Sequence, residues 1–174
     1  MERTSSRVVY EGQIATVRVE EFRYPDGSTA EREVIAHPGA VAIAAHDDGH
    51  LYLVRQPREA VGEEALLELP AGKLDVPGES PLECARRELA EEIGMEAETW
   101  QELKRFYTSP GFASEQVIVF EATGLSESET EPDLEERIEL VRWSLAELDD
   151  AISECEDAKS LVGMLILRER LRPA

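Results

Sequence analysis

Glu88, Glu91 and Glu92 recur at i, i+3 and i+4, a spacing that stacks three carboxylates on one face of a helix. Like charges so placed repel, at a cost of about a few tenths of a kcal/mol per pair in an isolated helix. No Lys or Arg stands four residues C-terminal to any of the three, so something else must offset the repulsion, and a divalent cation does so. Hard ions such as Mg²⁺ take carboxylate oxygens, keep several waters and are completed by substrate phosphates. Two readings follow: a metal site for phosphate chemistry, or a solvated acidic face on an acidic protein.

The segment that carries them has the marks of a helix. Leu82, Ala85, Leu89 and Ile93 form one apolar stripe, Ser80 is a natural N-cap with Pro81 behind it, and Gly94 ends the run, so the spacing predicts a helix over Pro81 to Ile93. Upstream the period is that of strands: Val8 to Tyr10, Ala15 to Tyr24, and Glu33 to Ala36, with Pro25-Asp26-Gly27 as a hairpin turn. Gly39 to Ala45 and Leu51 to Arg55 read as two buried strands joined by the turn Asp47-Asp48-Gly49, followed by a loop from Gln56 to Glu64 and a sharp bend at Pro70-Ala71-Gly72. Downstream, Trp100 to Tyr107, Gln116 to Glu121 and Ile138 to Trp143 read as strands. Leu145 to Ile152 and Lys159 to Leu171 have helical spacing, and Ser126 to Glu136 is too polar for a core.

The chain has 174 residues and 42% hydrophobic content, enough to bury about 70% of its unfolded surface without a disulfide or metal staple. With 38 acidic against 18 basic residues, the net charge of −20 argues against a nucleic acid or an anionic membrane as partner. The apolar stretches stop far short of the roughly 20 residues that span a bilayer, and the polar N-terminus lacks the apolar core of a secretion signal, so the cytoplasm is the expected location. Cys84 and Cys155 sit in no CxxC pair and His37, His46 and His50 are scattered, so neither residue type points to a zinc site or to catalysis.

The stretch from Gly72 to Glu79, seven residues, and then Arg87-Glu88-Leu89-Ala90-Glu91-Glu92-Ile93-Gly94-Met95 resembles the Nudix box, Gly-x5-Glu-x7-Arg-Glu-U-x-Glu-Glu-x-Gly-U with U a bulky apolar residue. Every fixed position is filled; the one departure is six residues instead of five between Gly72 and Glu79. The resemblance implies an α/β fold, a Nudix-type α/β/α sandwich with a mixed sheet, preceded by an N-terminal antiparallel β subdomain. The boundaries read are residues 1–38 for the subdomain and 39–174 for the hydrolase domain. It also implies hydrolysis of a phosphoanhydride with Mg²⁺, or alternatively Mn²⁺, as cofactor. Such chemistry needs charge neutralisation, an aligned water and a stabilised leaving oxygen. Glu88 and Glu92 are assigned as the main ligands, Glu91 as a further ligand or water positioner, and the Ala71 carbonyl as a backbone ligand. Arg87 is read as pairing with Glu79 or Glu91 in preference to touching phosphate.

Within that family the sequence looks like the ADP-ribose pyrophosphatases. Pro110 falls 15 residues after Met95, inside Ser109-Pro110-Gly111-Phe112, and Leu53 to Arg58 followed by Leu67 to Gly72 adds to the likeness, although Pro57 stands where an aromatic is common. The resemblance implies a substrate set of Arg58, Glu68, Pro110 and Phe112. It also implies a loop glutamate acting on the metals or the water: Glu136 first, with Glu135 and Glu139 as neighbours, beside the equal reading of solvated loop charge. A homodimer joined through the N-terminal strands is implied as well. The reaction expected is Mg²⁺-dependent hydrolysis of ADP-ribose, a nucleoside diphosphate sugar, to AMP and ribose 5-phosphate. The alternatives are action on other nucleoside diphosphate sugars or oxidised nucleotides, or a non-catalytic ADP-ribose sensor; a Ca²⁺-binding domain lacks the EF-hand spacing.

Overall fold

A computed structural model of the chain describes residues 1–128 and 137–172, grouped into two units. The first is built on the antiparallel sheet β1 (Glu2–Glu11), β2 (Thr16–Arg23) and β3 (Thr29–Ala36), in the order β1-β2-β3. The β2–β3 turn forms where Pro25-Asp26-Gly27 was expected to make it: Gly27 takes φ 85°, open to it because it lacks a Cβ, and the Tyr24 N–H donates to the Ser28 carbonyl at 2.9 Å. β1 starts six residues before Val8, the first residue that the alternation marked. Its early pairs are polar, with Arg3 Nη1 donating to Glu20 Oε1 at 3.0 Å and Thr4 Oγ1 to Glu21 Oε2 at 2.7 Å, and polar cross-strand pairs leave no hydrophobic period to read. Residues 106–116 belong to this unit too, a grouping that no single cut along the chain reproduces. The Ile35 N–H donates to the Phe112 carbonyl at 2.8 Å, and the Ser114 N–H to that of Ile35 at 2.9 Å.

The second unit follows from a strand that must be covered on both faces. β4 (Ala40–Ala45) is buried at all six positions, the pattern of a central strand. It runs parallel to β9 (Gln116–Glu127) and antiparallel to the short β7 (Ala71–Lys73), and with β8 (Met95–Tyr107) they form a mixed sheet in the order β7-β4-β9-β8. On one face α1 (Pro81–Ile93) buries Cys84, Ala85, Leu89 and Ile93 against Val41, Ile43, Ala45, Ile118, Phe120 and Ala122. Fully burying one such leucine stabilises by about 1.5–3 kcal/mol. On the other face lies α3 (Ala158–Leu171): a Cβ on its Gly163 would stand 2.5 Å from Leu69 Cδ1 and 3.3 Å from Val119 Cγ1. Helices thus cover both faces of a mixed sheet, the expected α/β/α arrangement.

A second, antiparallel sheet, in the order β10-β5-β6, joins β5 (His50–Arg58), β6 (Glu63–Glu68) and β10 (Glu139–Ser144), and α2 (Leu148–Glu154) precedes α3. The Asp47-Asp48-Gly49 turn joins the two buried strands as expected, closing with the Asp47 N–H on the His50 carbonyl at 3.0 Å and one bridge, His46 to Leu51, after which β4 and β5 part into different sheets. One expectation needs correction here. The stretch from Gln56 to Glu64 is loop only at residues 59–62: β5 runs on to Arg58 and pairs with β6, which starts at Glu63, because the polar residues there still satisfy the backbone ladder, which hydrophobicity does not report. Among the described residues no helix is long and apolar enough to cross a membrane.

Candidate active site

α1 begins and ends as its sequence demands. Ser80 and Glu83 form a capping box, with the Glu83 N–H on Ser80 Oγ at 3.3 Å and the Ser80 N–H on Glu83 Oε2 at 2.8 Å, and Gly94 closes the helix at φ 67°. Fixed ends and a buried apolar stripe set the helix's rotation, and Glu88, Glu91 and Glu92 emerge beside that stripe.

Two of the three carboxylates meet the first two residues of β7. Glu92 is only 9% exposed, and its Oε2 accepts the Ala71 N–H at 3.0 Å. The Glu88 carboxyl lies where a side chain on Gly72 would fall, so glycine there is what lets Glu88 take this position. Ala71, Gly72, Glu88 and Glu92 therefore come together, with two carboxylates against two successive backbone residues. Glu91 is more open, its side chain 39% exposed.

Arg87 ties this group together. Its Nη1 donates to Glu88 Oε1 and to Glu91 Oε2, both at 2.8 Å, while Nε and Nη2 grip the two oxygens of Glu79 at 2.9 and 3.1 Å. The guanidinium hydrogen bond holds the Glu79 carboxyl below the usual carboxylate range, and the same bonds, Glu79 foremost, push Arg87 up. The extra residue between Gly72 and Glu79 leaves Glu79 within reach of Arg87. Cys84 is buried, its thiol donates to the Lys73 carbonyl at 3.3 Å, and burial, then the charges of Glu88 and Glu79, push its pKa up to about 12. It stays a thiol, and the oxygen donors beside it suit a hard cation. Among the described residues no three such side chains already close on one point as a metal cage; the set fits an ion that water and phosphate complete.

Arg58 and Glu68 form a second group. Glu68, 1% exposed, receives Arg58 Nε at 2.5 Å and Nη2 at 2.7 Å, and Lys159 Nζ at 2.5 Å. Arg58 is pushed up chiefly by its bonds to Glu68, and the charges of Asp157 and Glu92 act on it in the same direction. Lys159, which the sequence reading did not single out, is announced by Asp157-Ala158-Lys159-Ser160 at the start of α3: Asp157 caps the helix, accepting the Ser160 N–H at 2.9 Å. Pro110 and Phe112 belong to the first unit, where Phe112 is 55% exposed. Glu139 opens β10 opposite Arg55. Glu135 and Glu136 lie outside the described residues.

Comparison with known proteins places the chain in a family. Residues 36–161 match the family model of the NUDIX domain, and residues 1–35 that of the nucleoside diphosphate sugar hydrolase N-terminal domain. The chain belongs to the NUDIX family, whose members generally depend on a divalent metal. An ADP-ribose pyrophosphatase of Mycobacterium tuberculosis (strain ATCC 25618 / H37Rv) is 49% identical over 127 residues, 72% of this chain and 61% of that protein; the match thus spans less than two thirds of that relative. An ADP-ribose pyrophosphatase of Bacillus subtilis (strain 168) is 40% identical over 172 residues, 94% of this chain and 91% of its own. A crystal structure described as an ADP compounds hydrolase superposes with a TM-score of 0.84 at 28% identity, over 98% of this chain and 93% of that one.

Proposed function

We propose that the chain hydrolyses the pyrophosphate bond of ADP-ribose to AMP and ribose 5-phosphate, with Mg²⁺, or Mn²⁺, as cofactor. The observation that carries this reading is the placement of the Glu88 and Glu92 carboxylates against the Gly72 and Ala71 backbone in a chain of this family; the names of its relatives support the substrate. When bound, the cation supplies charge neutralisation on the phosphates and a more acidic water.

The chain's own residues do the rest. Glu88 and Glu92 would hold the cation, with the Ala71 carbonyl as a further donor, and Glu91, the most open of the three, would orient the attacking water. Arg58 commits two nitrogens to Glu68 and remains 40% exposed, so it offers a fixed positive charge to a pyrophosphate, as guanidinium groups do well. Glu68 holds Arg58, and the family resemblance adds Pro110 and Phe112 to the proposed substrate set and Glu136 to the proposed metal set. A cytoplasmic homodimer belongs to the same reading; exposed Val8, Val9, Tyr10 and Ile14 in the first unit support self-association.

The test is a substrate panel of ADP-ribose, ADP-glucose, NADH, diadenosine polyphosphates and 8-oxo-dGTP, with Mg²⁺ and with EDTA, read by product chromatography and accompanied by sedimentation for the dimer. ADP-ribose giving AMP at the highest kcat/KM, abolished by EDTA, is the expected result. A different best substrate overturns the substrate assignment, and binding without turnover turns the reading to a sensor.

A further inference from the structure

Five successive residues, Leu67 to Ala71, are each held by a bond from elsewhere in the second unit. The Leu67 carbonyl accepts the Cys155 thiol at 3.3 Å, Glu68 Oε2 accepts Lys159 Nζ at 2.5 Å, and the Leu69 N–H donates to Ser160 Oγ at 2.7 Å. The Pro70 carbonyl accepts the Ile43 N–H at 2.8 Å, and the Ala71 N–H reaches Glu92 at 3.0 Å. Three of the five bonds come from the turn that starts α3 and the residue just ahead of it. Asp157 organises that turn: its Oδ2 accepts Lys159 Nζ at 3.0 Å, the Ser160 N–H at 2.9 Å and Ser160 Oγ at 2.6 Å. Ser160 Oγ thus has its proton directed to Asp157, which leaves its lone pair for the Leu69 N–H.

Stability alone is a poor reason for this construction, because a buried ion group is often matched by apolar residues of the same volume. Its distinctive effect is positional. The start of α3 sets Glu68, on which two Arg58 nitrogens rest, and it sets Leu69, two residues before the backbone that meets Glu92. Both groups, one read as holding the cation and one as meeting the substrate, are therefore referred to one helix terminus whose residues have no part in the functional reading above.

We propose that Lys159 and Ser160 are positioning residues for hydrolysis: Lys159 fixes the Arg58 guanidinium through Glu68, and Ser160 fixes the start of β7, Ala71–Gly72, against Glu92 through Leu69. This rests on the functional reading above, and outer partners of this kind change metal affinity or activity by about 10–100-fold when removed.

The experiment uses the full chain and the variants Lys159→Met, Lys159→Arg, Ser160→Ala and Ser160→Thr. Ser160→Ala exposes the Leu69 amide to hydrogen exchange and weakens Mn²⁺ binding, titrated without substrate, by about tenfold, and Ser160→Thr restores both. Lys159→Met raises KM for ADP-ribose by about tenfold with kcat within about threefold, and Lys159→Arg recovers KM. Full Mn²⁺ affinity in Ser160→Ala together with an unchanged KM in Lys159→Met overturns the proposal, as does a fall in kcat and Mn²⁺ affinity that only tracks lost folding stability in all four variants. A wild-type chain that leaves ADP-ribose intact overturns the functional reading instead, while Leu69 exchange and Mn²⁺ affinity still decide the Ser160 half.

Discussion

Changing Glu92 to Gln removes one negative charge and almost nothing else. The Glu92 carboxylate is nearly buried and accepts the Ala71 N–H at 3.0 Å; the amide that replaces it carries no charge but keeps one oxygen for that donor. Trading a charge-assisted bond for a neutral one costs about 1 kcal/mol, which at a slope of about 2 kcal/mol per molar urea moves the unfolding midpoint by about 0.5 M. The loss in catalysis expected from the proposed metal role of Glu92 is larger. Removing one such preorganised group costs about 3–4 kcal/mol of transition-state stabilisation, or roughly 10²–10³-fold in kcat. Turnover of ADP-ribose at saturating Mg²⁺, measured beside urea unfolding in EDTA, separates the two effects. Glu92→Ala provides the contrast, since it leaves the Ala71 N–H without this acceptor and costs about 1–3 kcal/mol of stability. Turnover of Glu92→Gln within about threefold of wild type, with the fold intact, would refute the assignment of Glu92 to the metal.

Three further perturbations test separate links. Gly72→Ala would put a methyl inside the Glu88 carboxyl, so Glu88 must swing away; Mn²⁺ affinity and kcat should each fall by about 10–100-fold, and wild-type values would show that Glu88 is not needed where it lies. Arg87→Gln removes the counter-charge that Glu79, Glu88 and Glu91 share, so it should destabilise the chain more in EDTA than in excess Mg²⁺, where the cation replaces part of that charge; equal loss in both conditions counts against a shared site. Asp47 is lowered to about 2 from 3.8, foremost by the Gly49 N–H. A depressed carboxylate stabilises the fold above its ordinary value and loses that contribution as pH falls through its folded one, so Asp47→Asn should flatten the fall in thermal midpoint between about pH 4 and pH 2.

The helix that carries Glu88, Glu91 and Glu92 was legible to the residue because several independent signals coincided there: N-cap, Pro at N1, apolar stripe and Gly C-cap all point to Pro81–Ile93. The strands were legible wherever apolar residues repeat, as in β2 and β4. They were not where pairing is polar, as at Arg3 with Glu20, or where a ladder runs through polar residues, as from Gln56 to Glu63. Non-local relations were the least visible. Nothing near Glu68 announces that Lys159, 91 residues away, bonds to it, and nothing near Phe112 announces that its carbonyl receives the Ile35 N–H. Asp157 was within reach, since an acid before a helical run is a cap signal, but a cap does not say which backbone its neighbouring serine will hold.

Arg87 changes the inference with which the three glutamates began. Their spacing alone leaves uncompensated repulsion, which a cation four residues C-terminal would relieve; the structure relieves it from the N-terminal side, with Arg87 one residue before Glu88 and four before Glu91. The crowding of carboxylates is thus balanced within the chain and cannot by itself demand a metal. What favours the metal is how the balance is arranged. Nε and Nη2 anchor the guanidinium to both oxygens of Glu79, and Nη1 alone spans Glu88 and Glu91. A divalent cation can take over the contacts of that one nitrogen while the other two keep Arg87 in place, so the helix trades one positive partner for another without loosening the loop before it. Glu92 is held by the Ala71 backbone amide, a donor that an arriving cation does not replace, and that makes it the ligand whose position depends least on whether the cation is bound.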